Sequence, residues 1–409
     1  MMTEQEKKVP SLRFPRFQTV WTKIKIKDVA NVTSGGTPSR QNKEYWGGGI
    51  PWVTTSQINF SNINAADEFI TDKGMNNSSA KLFPKGTLLI ALYGQGVTRG
   101  KVAILNIDAT TNQACAAILF NKSVLVTYGY YELQGKYQHI RNSSNEGGQK
   151  NLSGALVKAL DFSYPCADEQ QKIADFLTAV DKRIQQLEEK KRLLTEYKKG
   201  VMQQIFSQQI RFKDDNGKPY PDWGEKLLGD VATFHRGKGL SKSAISPDGQ
   251  NECILYGELF TQYGETISEV MSKTNETDAA ISRKGDILMP SSDVTPQGLG
   301  KASSIEKEGV LLGGDINVIR PSKDYLSAYL SYLFNHNSNE FIRLITGTTV
   351  KHLYTRDLSH MKFMLSSSTE EQDKIASLLK TIDNKIKQVA LQHEQAKAFK
   401  KGLLQQMFV

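Results

Sequence analysis

The stretch EQQKIADFLTAVDKRIQQ (Glu169–Gln186) returns 202 residues later as EQDKIASLLKTIDNKIKQ (Glu371–Gln388). The likeness extends without a gap over Glu169–Phe206 and Glu371–Phe408, where 15 of 38 positions are identical. Unrelated segments of average composition would share roughly two or three. The chain is therefore internally duplicated. In the first copy apolar residues fall at Ile173, Leu177, Val180, Ile184, Leu187, Leu194, Tyr197, Val201 and Ile205. The second copy places Ile375, Leu379, Ile382, Ile386, Val389, Ala396, Phe399, Leu403 and Met407 in the same pattern. Steps of three and four mark a helical seam. A helix of this length is about 57 Å long. Neither could bury so narrow a stripe alone, so each is the natural partner of the other.

The repeat continues outside the helices. KDVANV at Lys27 matches GDVATF at Gly229, and KGTLLI at Lys85 matches KGDILM at Lys284. NQACAAILF and GGDINVIRP precede helix-like stretches, 128–141 and 325–344, and each half closes on a strand-like run, LDFSYP or MKFMLS. The predicted order is an N-terminal arm (1–21), a globular part (22–166), a long helix (167–209), a turn-rich linker (210–222), a second globular part (223–367) and a second long helix (368–409). The globular parts are far less alike than the helices. That inequality predicts helices with one job done twice, and domains with similar jobs on different targets.

Composition sets the class. At 409 residues the chain exceeds one ordinary core. No apolar run is long enough to span a bilayer, so no membrane role is expected. MMTEQEKKVP lacks a signal-peptide core, and the three cysteines are widely separated, which together predict a cytoplasmic protein. The net charge of +9 favours a polyanionic partner, most simply nucleic acid.

Catalytic patterns are missing. GQGVTRGK (Gly94–Lys101) has five residues between Gly94 and Gly100, and Val102 stands where a P-loop needs a hydroxyl. GGGIPW lacks the strand and helix of a dinucleotide fingerprint. No Pro-Pro pair occurs, which excludes the Asn/Asp-Pro-Pro-aromatic motif of an amino-methyltransferase. The six histidines form no HExxH and no zinc set, so no metal site is expected.

Taken in order, the motifs resemble the specificity (S) subunit of type I restriction–modification systems over essentially the whole chain. The carriers are GGTPSR (Gly35–Arg40), GIPWVTTSQI (Gly49–Ile58), NQACAAI (Asn112–Ile118), GGQKNLS (Gly147–Ser153), ILYGELFTQYGE (Ile254–Glu265) and the two EQ-x-KIA helices. The resemblance implies an α+β fold: two mixed α/β target-recognition domains in pseudo-twofold arrangement, separated by two long antiparallel helices that form a coiled-coil spacer. It implies that each domain reads one half of a bipartite site in double-stranded DNA. It also implies that the helices help set the gap and dock two methyltransferase (M) subunits, which methylate adenine N6 with S-adenosylmethionine. Restriction (R) subunits, with ATP and Mg, would add cleavage of unmodified DNA. The S subunit itself would hold no cofactor and no catalytic residue. The competing reading is a duplicated coiled-coil scaffold that organises protein partners without reading DNA.

The resemblance does not fix base contacts, so the DNA-binding candidates come from chemistry. Base edges take Arg, Lys, Asn, Gln, Ser and Thr from loops, and phosphates take cations and backbone amides. The first domain offers Thr37, Ser39, Arg40 and Gln41; then Gln95, Thr98, Arg99 and Lys101; then Gln149, Lys150 and Asn151. The second offers His235, Arg236, Lys238 and Lys242; then Ser291, Ser292, Thr295 and Gln297; then Thr348, Thr349, Lys351 and His352. For each, a DNA contact and a solvated loop side chain are both open. Arg99 is expected either to read the first half-site or to anchor a phosphate.

Overall fold

The computed structural model describes residues 9–94, 97–143 and 151–409. The two long helices are Ala167–Phe206 and Thr369–Gln406. The chain divides into two compact units, but not at the helix ends. The first unit comprises 1–188 with 391–409, and the second comprises 189–390. Each long helix therefore gives one half to each unit, where the sequence suggested whole helices between whole domains.

Within the first unit, a five-stranded sheet has the order Ala30–Ser34, Cys115–Phe120, Leu88–Ala91, Val102–Leu105, Asn62–Ile63. Its neighbours are antiparallel except the last pair. A second sheet sets Trp46–Val53 between Glu68–Ile70 and Thr110–Thr111. Thr22–Lys25 pairs with Asp161–Tyr164, the strand that leads into the long helix. Within KGTLLI and the residues after it, Leu88–Ala91 is a fully buried strand, and residues 97–100 form a turn.

The second unit repeats this plan. Its five strands run Ala232–Arg236, Ile316–Pro321, Ile287–Pro290, Ser303–Ile305, Thr266–Ile267. Its second sheet gains a strand, Ala280–Ile281, and a separate ribbon joins Ser292–Asp293 to Lys351–His352. The helix-like stretches are each two helices, Val126–Gly135 with Tyr137–Asn142 and Ser327–His336 with Ser338–Arg343.

The long helices pack antiparallel inside each unit. Ile173 and Leu177 share a core with Leu403 and Met407, and Asp181 meets Lys400 at 2.6 Å. In the second unit Val201 and Ile205 share a core with Ile375, Leu379 and Ile382, and Lys198 meets Asp383 at 2.6 Å. These cores also include the domain residues Tyr128 and Tyr329, so the seam faces its own globular part as well as the other helix. Leu187 and Val389 are buried as the pattern predicts, while Val180, Ile184, Leu194 and Ile386 are half-buried.

The repeated Glu-Gln pair explains why the helix is written twice. Gln170 accepts from Leu125 N (2.8 Å) and donates to the carbonyls of Ser123 (2.9 Å) and Pro165 (3.0 Å). Gln372 does the same with Leu326 N (2.8 Å), Asp324 O (3.1 Å) and Ser366 O (2.9 Å). Each glutamine thereby satisfies a backbone donor at the entry of a domain helix, a group with no partner inside that helix. Glu169 and Glu371 are fully buried, each bound by an arginine. Arg13 comes from the N-terminal arm and Arg211 from the linker. The arm mimics the linker in detail: Leu12 N donates to Gln406 O as Ile210 N does to Gln204 O. Trp21 packs on Tyr128 and Phe408 as Trp223 packs on Tyr329 and Phe206.

One expectation is overturned. Tyr197 and Phe399 were placed in the seam by their spacing, yet each is 57% exposed. The inward place is taken by the next residue. Lys198 reaches Asp383 and also Glu265 (2.8 Å), over the Tyr332 ring. Lys400 lies over Tyr131, whose hydroxyl donates to Asp181 at 2.8 Å. Tyr332 donates to Asp383 at 2.6 Å. A lysine that finds a carboxylate and an aromatic face can displace an aromatic from a helix's inner face.

Candidate nucleic-acid interface

In the first unit the GGTPSR loop is held by close packing. A Cβ on Gly35 would sit 2.1 Å from Thr111 O, and one on Gly36 would sit 2.3 Å from the Ser79 backbone. The glycines admit neighbouring backbone; they are not a phosphate cradle. The turn they make leaves Ser39, Arg40 and Gln41 exposed. Thr37 donates to Gln113 Oε1. Arg40 is the most constrained of these residues. Its guanidinium lies 3.7 Å from the Trp46 ring centre and 4.8 Å from that of Trp52, and it pairs with Glu68 through both terminal nitrogens. That hydrogen bond holds the Glu68 carboxyl below its ordinary range.

The second loop behaves differently. Arg99 is turned inward, half-buried, with Nη2 donating to Arg141 O at 3.0 Å. It anchors its own loop, so a base-reading role for it is not what the geometry favours. Thr98 is half-buried, and Lys101 donates to Asn59 Oδ1 at 2.5 Å. Gln95, Gln149 and Lys150 lie outside the described residues; Asn151 is half-buried. Among the described residues no hydrogen bond or ion pair joins loop 35–43 to loop 94–101.

In the second unit the structure gathers three separately chosen segments. The ribbon pairs Ser292 with His352 and Asp293 with Lys351. Arg236, from the end of its strand, donates to Ser291 Oγ at 3.2 Å. This closeness costs two candidates: Ser291 and Ser292 are 2% and 8% exposed, so neither hydroxyl is offered to solvent. They belong to the ribbon's support, because a short strand pair set against a sheet must bury one face. Thr295 donates to Asp293 Oδ2 (2.7 Å) and Lys351 to Gly347 O (2.7 Å). Lys238 pairs with Asp278 at 2.5 Å. His235, Lys242, Gln297, Thr348 and Thr349 are exposed.

Sequence reasoning missed the aromatic platforms. Trp46, Trp52 and Glu68 set Arg40. In the second unit His352 stacks on Tyr354 (5.9 Å, 22°), and Arg356 lies 5.2 Å from the same ring. The signal was available in H-L-Y-T-R, where the three residues alternate. Rings beside cations suit nucleic-acid faces and edges. Glu258, in the ILYGELFTQYGE segment, is buried and accepts from Leu255 N (2.7 Å) and Ser272 Oγ (2.5 Å), so it is structural. Among the described residues no three of His, Cys, Asp and Glu are grouped to hold a metal, and no helix is long and apolar enough to cross a membrane.

The family described as "Type I restriction modification DNA specificity domain" matches twice, over residues 19–196 and 220–395. The type I restriction enzyme MjaIX specificity subunit of Methanocaldococcus jannaschii is 30% identical over 238 residues, 55% of this chain and 54% of that one. The chain thus spans about half the length of that relative. The MjaVIII specificity subunit of the same organism is 23% identical over 98% of this chain and 94% of its own length. Among solved structures, the type I restriction–modification S subunit from M. genitalium covers 98% of this chain and 99% of its own at a TM-score of 0.62, with 16% identity. That likeness is one of fold.

Proposed function

This chain belongs to the type I restriction–modification DNA specificity family, and from that premise we propose that its two units each read one half of a bipartite duplex site. One observation carries the reading. The two units repeat the same buried junction, Glu-Gln pair, arginine and tryptophan included, while their exposed loops carry different chemistry. A duplicated scaffold for identical partners would have no reason to keep the junction and vary only the loops.

The rest of the reading follows the family. The chain supplies no cofactor chemistry of its own. M subunits bring S-adenosylmethionine and methylate adenine N6, which requires the base to leave the stack. R subunits bring ATP, Mg and cleavage. The exposed Tyr197 and Phe399, at equivalent places in the two repeats, support docking of one M subunit on each repeat. Aromatic residues are the side chains most often central to such contacts. The setting is the cytoplasm.

The test is binding selection. The chain, purified with M subunits from its own locus, is offered a pool of randomised duplexes. Two short blocks of fixed bases with an unread gap of constant length are expected. Affinity should fall steeply with salt, since phosphate neutralisation releases counterions. A single continuous block, or no fixed base, would sink the proposal.

A further inference from the structure

Arg40 is set in the first unit like a tool in a clamp. Its loop ends against two indoles that are themselves fixed. Trp46 Nε1 donates to Ser39 O (3.1 Å) and the buried Trp52 donates to Gly36 O (3.0 Å), with the rings edge-to-face at 5.0 Å. Glu68 lies directly across the sheet from Trp52 and takes both terminal nitrogens of Arg40. The guanidinium is still about half exposed. It borders a shallow hollow that Gly47, Gly48, Asp67 and Phe69 also line. A Cβ added to Gly47 or Gly49 would meet no atom within 4 Å, so the space beside this strand is open.

The donor geometry is specific. Arginine carries five N–H groups. Glu68 uses one on Nη1 and one on Nη2, the end-on pair. The side-on pair, Nε–H and the outer Nη2–H, has no hydrogen-bond partner among the described residues. Two parallel donors at that spacing match guanine O6 and N7 in the major groove. Charge points the same way. The guanidinium is already paired with Glu68, and Asp67 is close by, so a phosphate approaching here would meet carboxylates. A guanine edge presents neutral acceptors and does not meet that repulsion. Stacking and pairing also fix the side chain before binding, which reduces the ordering cost.

We propose that Arg40 is a base reader of the first unit, selective for guanine, and that Glu68 is its positioning residue. The inference rests on the reading that this unit contacts duplex DNA. No equivalent is built in the second unit, where Lys242 stands at the 202-residue offset from Arg40 and Ser272 lies on the strand equivalent to that of Glu68.

The experiment is binding selection from randomised duplexes with the full chain and its M subunits. Wild type is compared with Arg40→Lys and Glu68→Gln. The first unit's half-site is the one that persists when residues 223–367 are exchanged. It should contain a fixed guanine. Arg40→Lys should reduce preference at that single position by roughly 5- to 150-fold, because lysine lacks two parallel donors. Glu68→Gln should weaken the same position and no other. The other half-site should be unchanged in both variants, which shows that they are folded. The salt dependence should keep its slope, since no phosphate contact is lost. A slope lowered by about one with base preference intact would make Arg40 a phosphate anchor. Unchanged preference at every position would make the cluster purely structural. A half-site without guanine contradicts the proposal directly. If wild type selects no sequence, the functional reading itself fails and this inference with it.

Discussion

Glu371→Ala should destabilise the second unit by about 3 kcal/mol, at the lower end of what breaking a buried ion pair costs. The carboxylate is fully buried and accepts from Arg211 (3.2 Å), Trp223 Nε1 (2.8 Å) and Ser366 Oγ (2.6 Å). Alanine leaves the Trp223 indole N–H buried without a partner, which is costly, and leaves Ser366 Oγ only its contacts with Ser368, at 3.4 Å to O and 3.2 Å to N. Arg211 suffers less. It keeps Asp222 (3.1 Å) and the carbonyls of Tyr220 and Pro221, and its side chain is partly exposed. The expected sum is reduced for that reason. Glu371→Gln keeps the acceptors for the indole and hydroxyl and should cost about half as much. Urea unfolding followed by tryptophan fluorescence reads the change, since Trp223 sits in the junction. A loss below about 1 kcal/mol for alanine would show that the Glu-Gln pair is not the clamp described. In the first unit Glu169 has Arg13 as its charged partner, at 2.7 Å, so Glu169→Ala should chiefly release the N-terminal arm.

Lys198→Ala should also cost about 3 kcal/mol, whereas its neighbour Tyr197→Ala should change stability by less than about 0.5 kcal/mol. This reverses what polarity alone suggests. Lys198 separates Asp383 and Glu265, and its removal leaves those two carboxylates facing each other in a poorly solvated place. Tyr197 points to solvent. Lys400 has Asp181 as its carboxylate partner, so Lys400→Ala should cost about half as much as Lys198→Ala. Denaturant midpoints for the three variants decide the matter. If Tyr197→Ala proves the more costly change at its site, the inward lysine is wrong.

That reversal shows where the sequence stops being legible. The duplication, the helical period and the long helices were readable, because a stripe of apolar residues every three or four positions has one economical solution. Leu177 and Leu379 lie fully buried where the period put them. The lysine-for-tyrosine exchange was not readable, because a periodicity counts polarity and takes no account of partners that come from distant segments. The Glu-Gln pair was visible as a repeated motif, but its hydrogen bonds to a domain helix depend on folding. Likewise the loops were recognisable by their Gly, Ser and Thr content, while their orientation was not. Ser291 and Ser292 are buried by a ribbon whose second strand is far along the chain, and Arg99 is drawn inward by the carbonyl of Arg141. Arg40 looked like any exposed arginine until Trp46, Trp52 and Glu68 were seen around it.

The central claim is that two units on one repeated junction read two separate half-sites. The most direct measurement is the pattern of methylated adenines in cells that carry this chain and its M subunit, before and after residues 223–367 are exchanged for the same segment of a relative. The account predicts a split motif in which one half changes and the other half stays. A single continuous motif, or a motif in which both halves change together, would contradict it.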